Sequence, residues 1–291
     1  MTLLNSKSGR FNMTFKFLSI PLIAAALVGV AATGAHAAGK SKQPAYQDWS
    51  FAGPFGHYDR GALQRGFKIY QEVCSACHSI ELVNFRNLME PGGPEFSEAE
   101  VKQLAEDWST TVIDALPDED GEPVERQPRL SDKIPGPWAN KQQAQASNGG
   151  AYPPDFSLIA KARAVERGFP NFVFDIFTQY QEQGPDYLHG LLTGYTSDEP
   201  NDAGTYDNPY YIGGPALAMA PPLSDGLVTY DDGTPETLDQ YAKDISHFLM
   251  WAAEPKLEQR KSLGFKAMIF MILFAGLLYG TKRRVFASVK H

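Results

Sequence analysis

The five consecutive residues Cys74-Ser75-Ala76-Cys77-His78 restrict what this chain can fold around more than any other segment does. Cys-x-x-Cys-His is the attachment signature of a c-type haem, in which both thiols bond to the porphyrin and the histidine binds the iron. Positions i, i+3 and i+4 lie close together on a helical turn, so one short segment can hold the ring and its metal. The motif uses both cysteines of the chain. We therefore predict one covalently bound haem c and no disulfide.

Two other kinds of site use Cys-x-x-Cys. A structural zinc site needs four ligands, usually with a second Cys/His pair at short spacing. The remaining histidines are scattered and unpaired: His36, His57, His189, His247 and His291. A redox-active dithiol normally lies near a βαβ pattern, and no such pattern is apparent here. Haem attachment is therefore the preferred interpretation over a zinc site or a redox pair.

The N-terminal region has the features of an export signal. Three basic residues and no acidic residue precede the apolar run Phe17–Ala32, which is followed by the small-x-small sequence Ala35-His36-Ala37. This combination predicts a secretory signal peptide over residues 1–37, with cleavage before Ala38. A retained membrane anchor is the alternative. A mitochondrial presequence would be amphipathic and arginine-rich, so we expect bacterial export.

A second apolar run lies near the C-terminus. Between Leu263 and Thr281 the only charged residue is Lys266, which can reach the membrane surface from near a helix end. Crossing a bilayer takes about 20 apolar residues, and the basic residues that follow are expected on the cytoplasmic side. A buried core helix is the alternative. We predict a periplasmic domain at 38–256, an anchor in the bacterial inner membrane at 257–282 and a cytoplasmic tail at 283–291.

The exported part is strongly acidic. The whole chain has a formal net charge of −8, but 15 basic and 33 acidic residues between Ala38 and Pro255 give −18 for that part. Such a field repels nucleic acid and speeds encounters with basic proteins. Twelve acids crowd the segment from Glu90 to Glu125, opposed within it only by Lys102. We predict a docking surface for a basic partner there; a surface that serves only solubility, or a disordered acidic loop, is the alternative.

Apolar periodicity predicts a mainly helical domain. Asp59 is a candidate N-cap for a helix that carries Leu63, Phe67 and Tyr70 on one face and leads to Cys74. Further helices are expected after a Ser97/Glu100 capping box, at Phe172–Tyr180, at Asp186–Leu192 and after a Thr234 cap. Long loops, which can line a large flat cofactor, are expected at Leu116–Pro154 and Thr193–Gly233.

The sixth iron ligand decides between an electron carrier and an enzyme. Met219 precedes Pro221-Pro222 in a loop of small residues, and a proline-stiffened loop can hold a thioether at bonding distance. The competing methionines are less suitable by position: Met250, expected to face out of a helix, Met268 and Met271 in the anchor, and Met89 close to the motif. Histidine plus methionine saturates the iron and raises its potential. An open sixth position would instead indicate a haem enzyme or a gas sensor.

Five runs of sequence together carry a family resemblance: Arg65–His78, Gly149–Ser157, Leu191–Tyr195, Met219–Pro222 and Trp251–Pro255. They resemble the cytochrome c1 family, the haem subunit of the cytochrome bc1 complex (ubiquinol–cytochrome c oxidoreductase). The resemblance extends in order from about Tyr58 to the C-terminus. The expected fold is therefore mainly α: a class I cytochrome c-like haem domain with long loop insertions and one C-terminal transmembrane helix.

The resemblance also implies roles for individual residues. Cys74 and Cys77 would bind the haem covalently, with His78 and Met219 as axial ligands. Arg163 would partner a haem propionate, because a lone buried carboxylate is costly; a plain surface arginine is the alternative. The carbonyl of Pro153 or Pro154 would accept the other imidazole proton of His78.

The implied partners are cytochrome b, the Rieske iron–sulfur protein and a basic-faced cytochrome c, within a dimeric complex. The chain would take part in quinol oxidation only as an electron-transfer subunit, without a substrate-transforming site of its own. The family's acidic face toward cytochrome c maps onto Glu106 and Asp107, and we place Glu98 and Glu100 on the same surface. Two departures stand out: residues 164–185 look longer than in mitochondrial relatives, and the cysteines that support the methionine loop in some bacterial relatives are missing. Support for that loop by packing alone is therefore expected.

Overall fold

A computed structural model describes residues 41–114, 116–163, 169–170, 173–174 and 183–288, all within the unit Lys40–His291. The predicted signal peptide at 1–37 lies outside the described residues. So do all but two residues of the helix predicted at Phe172–Tyr180, and most of the extra segment 164–185.

The described residues are mainly helical, which confirms the predicted fold class. The helices are α1 Arg60–Glu72, α2 Glu98–Glu106, α3 Lys141–Ser147, α4 Ile159–Ala162, α5 Gly184–Thr193, α6 Leu238–Ala253 and α7 Leu257–Val285. Short 3₁₀ helices lie at Cys74–Ala76 and Phe85–Met89. Two antiparallel strand pairs join β1 Val112–Ile113 to β2 Glu125–Arg126 and β3 Tyr206–Asp207 to β4 Ala216–Leu217.

The helix pair α1 and α6 forms the centre of the domain. Asp59 caps α1 as predicted, since its Oδ1 accepts a hydrogen bond of 3.0 Å from the backbone of Ala62. Leu63, Phe67 and Tyr70 are fully buried on the face that the sequence pattern predicted. At Gly66 the two helices approach so closely that an added Cβ would lie 2.2 Å from the backbone oxygen of Asp244. Helices α4 and α5 also pack against α6.

Two predictions about α6 are wrong. The helix begins at Leu238, capped by Thr237, whose side chain accepts from the backbone of Gln240 at 3.3 Å. The predicted cap, Thr234, instead lies in a turn in which its backbone donates to Asp232. Met250 was expected to face outward but is only 2% exposed, because α6 is packed on almost every side.

The acidic region is more ordered than a loop. Strands β1 and β2 make a hairpin between residues 112 and 126, and the carboxylate of Asp118 organises its turn by accepting from the backbones of Asp120 and Glu122. Helix α3 lies further along the same predicted loop, so the loop expected at Leu116–Pro154 is interrupted twice. Helix α2 begins at the predicted capping box of Ser97 and Glu100.

Helix α7 is long and apolar, as predicted. It extends from Leu257 to Val285, three residues past the expected anchor end at residue 282. Among the described residues it is the one helix long and apolar enough to cross a membrane, and its apolar stretch is not buried against the rest of the chain.

Candidate functional site

The two cysteines and the histidine lie on one tight turn. Helix α1 ends at Glu72, and a 3₁₀ helix over Cys74–Ala76 follows directly. The Cys74 carbonyl accepts from the backbones of both Cys77, at 3.1 Å, and His78, at 2.9 Å. Both thiols are free. The turn is tighter than the α-helical turn that the spacing suggested, but it keeps all three side chains in one short segment.

The His78 imidazole is held from two directions. Its Nδ1 lies 2.8 Å from the Pro154 carbonyl oxygen, and its ring stacks on Phe156 with centroids 4.0 Å apart. A carbonyl can only accept, so Nδ1 carries the proton and Nε2 has the free lone pair. Among the described residues none is hydrogen-bonded to Nε2. Of the two carbonyls proposed from the resemblance, the one in contact is that of Pro154, not Pro153.

Burial controls protonation at the turn. His78 is only 9% exposed, and burial lowers its pKa, although the Pro154 carbonyl and the charge of Asp155 act in the opposite direction. Burial raises the pKa of the Cys74 thiol to about 12, with a further contribution from Cys77. At neutral pH the turn therefore presents a neutral imidazole and a protonated Cys74 thiol.

Two side chains from outside the turn hold its backbone. The Tyr70 hydroxyl donates to the His78 carbonyl at 3.1 Å, and Trp138 Nε1 donates to the Cys77 carbonyl at 3.0 Å. Tyr70 was predicted on the buried face of α1, but its hydroxyl bond was not. Trp138 was missed, and no local pattern around it indicates the contact.

Asp155 fastens the loop that carries Pro154. Its Oδ2 accepts from the Ser79 hydroxyl at 2.8 Å and the Glu81 backbone at 2.9 Å, and its Oδ1 accepts from the Ser157 backbone at 2.8 Å. The Phe156 backbone donates to the Ser79 carbonyl at 2.8 Å. One carboxylate thereby places the Pro154 carbonyl against His78. The sequence run Gly149–Ser157 contained Asp155, but nothing in it assigned this role.

Asp155→Asn is expected to lower the free energy of unfolding by ~1–3 kcal/mol, because in either orientation the amide NH₂ would face a backbone donor, that of Glu81 or that of Ser157. Urea unfolding followed by circular dichroism measures the change. The matched control is Glu81→Gln, a carboxylate-to-amide change on an exposed neighbour. Equal stability of the two variants would show that Asp155 does not fasten the loop.

Met219 follows strand β4 in a half-buried position. The β3–β4 ladder holds the base of its loop, and the Tyr195 hydroxyl donates to the Met219 carbonyl at 3.0 Å. The expectation that packing alone supports this loop is therefore wrong, because a ladder and a side-chain hydrogen bond also hold it. Among the described contacts none joins the loop directly to the thiol turn, so the ligand role of Met219 stays a prediction.

Arg163 lies at the C-terminal end of α4, where its backbone donates to the Ile159 carbonyl at 3.0 Å. Its side chain is half-buried and near Tyr187. Burial raises the pKa of Tyr187, and the backbone of Ile212 and the charge of Arg163 both act against that rise. Arg163 is thus a partly buried cation, which the proposed contact with a carboxylate requires.

The four predicted docking acids are all exposed on or beside α2. Three of them have partners within the same segment: Glu98 pairs with Lys102 at 2.7 Å, Glu100 closes the capping box, and Asp107 accepts from Gln103 at 2.7 Å. Glu106 is close enough to Lys102 to raise its pKa, behind the larger effect of Glu98.

The sequence suggested that Lys102 alone opposes the acids between Glu90 and Glu125, but basic residues from outside that segment also pair with them. Arg60 pairs with Glu95 at 2.9 Å, and Lys256 pairs with Glu90. In the hairpin, Arg126 pairs with Asp114 at 3.1 Å. The net negative field of this region is therefore concentrated around α2 and the hairpin turn.

The arrangement fits a c-type haem. Two free thiols and a buried imidazole with an available Nε2 lie on one turn, and the imidazole orientation is held by a carbonyl from another segment. Such a donor set, in a mainly helical domain, defines the class of c-type haem proteins.

Comparisons with known proteins agree with this class. The family model described as Cytochrome C1 family matches residues 49–289. The chain is 53% identical to "Cytochrome b/c1" of Bradyrhizobium diazoefficiens over 85% of this chain, but spans only 36% of that protein. It is 46% identical to "Cytochrome c1" of Blastochloris viridis over 96% of this chain and 99% of that protein. It is 41% identical to "Cytochrome c1, heme protein, mitochondrial" of Saccharomyces cerevisiae over 85% of this chain and 73% of that protein.

The chain therefore belongs to the cytochrome c1 family, the electron-transfer haem subunits of bc1 complexes, whose members bind haem c. The resemblance seen in the sequence is confirmed.

Proposed function

We propose that this chain is a membrane-anchored one-electron carrier within a quinol–cytochrome c reductase. The observation that supports it most is the fixed tautomer of His78: the Pro154 carbonyl occupies Nδ1 and leaves Nε2 as a ligand, on the same turn as two free thiols. A bound haem c supplies an iron that alternates between two oxidation states and so accepts or releases one electron at a time.

The residues of the chain would hold the haem and limit how far its ligands move when the iron gains or loses an electron. Cys74 and Cys77 would bind it covalently, while His78 Nε2 and Met219 Sδ would bind its iron. The contacts of Pro154 and Phe156 keep the imidazole in one orientation when the charge of the site changes. The ladder at the base of the Met219 loop and the Tyr195 hydroxyl hold the backbone that carries the thioether. Arg163 would offset a propionate charge.

We further propose the partners and topology. Cytochrome b and the Rieske iron–sulfur protein would accompany the chain in a dimeric complex, and the Rieske protein would deliver the electron. Residues 1–37 would be removed on export to the periplasm. Helix α7 would cross the inner membrane, with the basic residues at its end in the cytoplasm. A cytochrome c with a basic face would dock on the α2 surface and take the electron.

Purification of the full chain from membranes in mild detergent tests this proposal. We expect a mass increase of one haem on the mature chain, together with co-purification of a cytochrome b and an iron–sulfur protein. A chain without the added mass would refute haem attachment. A haem-bearing chain that is always recovered alone would refute its place in the complex.

The double variant Glu106→Gln/Asp107→Asn is expected to slow association with a basic cytochrome c several-fold at low ionic strength, because rim charges act mainly on the encounter rate. The difference should vanish at high salt, since the Debye length falls from ~30 Å at 0.01 M to ~3 Å at 1 M. Stopped-flow measurements over a salt series check this. Glu199→Gln, an exposed acid outside the segment Glu90–Glu125, is the control, and an equal effect there would refute a localised docking surface.

A further inference from the structure

The start of α7 is bound tightly to a loop that precedes α1. Lys261 is only 6% exposed, and its Nζ donates to the carbonyls of Phe51 and Gly53 at 2.6 Å each and of Gly56 at 3.3 Å. A lysine ammonium has three donors and no acceptor, so these three carbonyls use its full capacity. The loop 51–56 is thereby fixed to the second turn of α7.

A second set of contacts holds the end of the same loop. Glu258 accepts from the Tyr58 backbone at 2.8 Å and pairs with Arg60 through both of its oxygens, at 2.8 and 2.9 Å. The turn itself has no spare room, because a Cβ on Gly56 would lie 2.0 Å from the Ala52 oxygen. The loop therefore has one position relative to α7.

Phe55 projects from this fixed loop. Phe55 is 74% exposed, and its one aromatic contact among the described residues is edge-on with Phe265 of α7, with ring centroids 5.6 Å apart. Phe265 lies on the exposed apolar surface of α7, which begins at Leu263 and continues through Phe270 and beyond. The Phe55 ring is thus continuous with the part of the helix that faces outward.

Counting along α7 gives the depth of this contact. A membrane-spanning helix needs about 20 residues. The first basic residue at the C-terminal end of α7 is Lys282, and the 20 residues that precede it begin at Ser262. With ~1.5 Å of rise per residue, Phe265 lies ~5 Å inside that boundary. Interfacial elements bury apolar side chains such as phenylalanine to about this depth of a bilayer. The neighbouring Lys266 can extend toward lipid phosphates.

We propose that the loop Gly53–Gly56 is a lipid-contacting element, with the Phe55 ring inserted at the boundary between headgroups and acyl chains. This inference rests on the proposed membrane anchoring by α7. Lys261 and Glu258 hold the loop against the helix, so the inserted ring and α7 form two attachment points. Two points restrict how the haem domain can tilt over the membrane, which a single helix cannot do.

Site-directed spin labelling of the full-length, haem-loaded chain in lipid nanodiscs tests the proposal. Labels are placed at Phe55→Cys, at Phe274→Cys in the middle of α7, and at Ile113→Cys, an exposed apolar position on the β1–β2 hairpin. The collision rates of each label with oxygen, which partitions into lipid, and with a water-soluble nickel chelate give its depth. Wild-type protein should take up no label if its two cysteines are bonded to haem.

We expect the oxygen-to-nickel collision ratio at Phe55 to be several-fold higher than at Ile113 and lower than at Phe274. A ratio at Phe55 equal to that at Ile113, with Phe274 deep, would overturn the lipid contact and leave the anchor intact. Low collision with both reagents would mean that protein covers Phe55, which also overturns it. A water-exposed Phe274 would overturn both the anchor and the inference.

Discussion

Replacing Met219 by leucine is expected to lower the midpoint potential of the bound haem by roughly 0.2 V or more, within the ~0.8 V over which axial ligands set haem potentials. A thioether stabilises the reduced iron relative to weaker or absent ligands, so its loss favours the oxidised form. Redox titration of the purified protein measures the change. The reduced spectrum of the variant should also shift on addition of carbon monoxide, whereas that of the wild type should not.

Met250→Leu is the matched control, because this methionine is buried in α6 and a leucine of similar volume is tolerated in a core. Its potential should stay at the wild-type value. A Met219→Leu protein with an unchanged potential would show that Met219 is not a ligand. A rapid carbon monoxide shift in the wild type would instead favour a haem enzyme or gas sensor with an open sixth position.

Gly66→Ala is expected to lower the free energy of unfolding by roughly 3 kcal/mol, the upper range for overpacking. A methyl group there would lie 2.2 Å from the Asp244 oxygen and 2.7 Å from the Phe248 Cβ, so α1 and α6 would have to move apart. Both neighbours belong to the helix at the centre of the core, and the backbone oxygen cannot rotate away. Thermal and urea unfolding of the full chain in detergent measure the loss.

Gly61→Ala makes the same change in the same helix. There the added Cβ would meet only side-chain atoms, 3.2 Å from Arg65 and 3.3 Å from Asp59, and alanine favours helix. Its stability should differ from wild type by less than about 1 kcal/mol. Equal losses at the two positions would show that the close approach of the helices at Gly66 does not limit stability.

At the junction between the domain and α7, composition predicted the helix but not the contacts that fix it to the domain. The apolar run predicted the helix, which follows a break at Glu254-Pro255 after the end of α6. The sequence did not predict that Lys261 would be buried, because a lysine near the start of an apolar helix normally faces water. Only the carbonyls of a loop about 200 residues earlier make that burial possible.

The local sequence determined the features that depend on residues a few positions apart. These are the thiol turn, the Asp59 and Ser97 caps, the buried face of α1 and the apolar length of α7. Each follows from hydrogen bonds, side-chain periodicity or apolar composition within one continuous segment, so the information lies within that segment. The Thr237 cap of α6 was missed because two threonines near that start both satisfy the local rule, and a bond from Thr234 to Asp232 decided between them.

Only the tertiary structure decided how the thiol turn is held. Pro154 meets His78 across 76 residues, Trp138 meets Cys77 across 61, and Asp155 ties its loop to Ser79 across 76. None of these contacts leaves a periodic or capping signal, because the partners come together only when α1, the intervening loops and α6 pack into one core. Short-range rules act through the backbone of one segment, whereas these bonds depend on where separate segments lie in space.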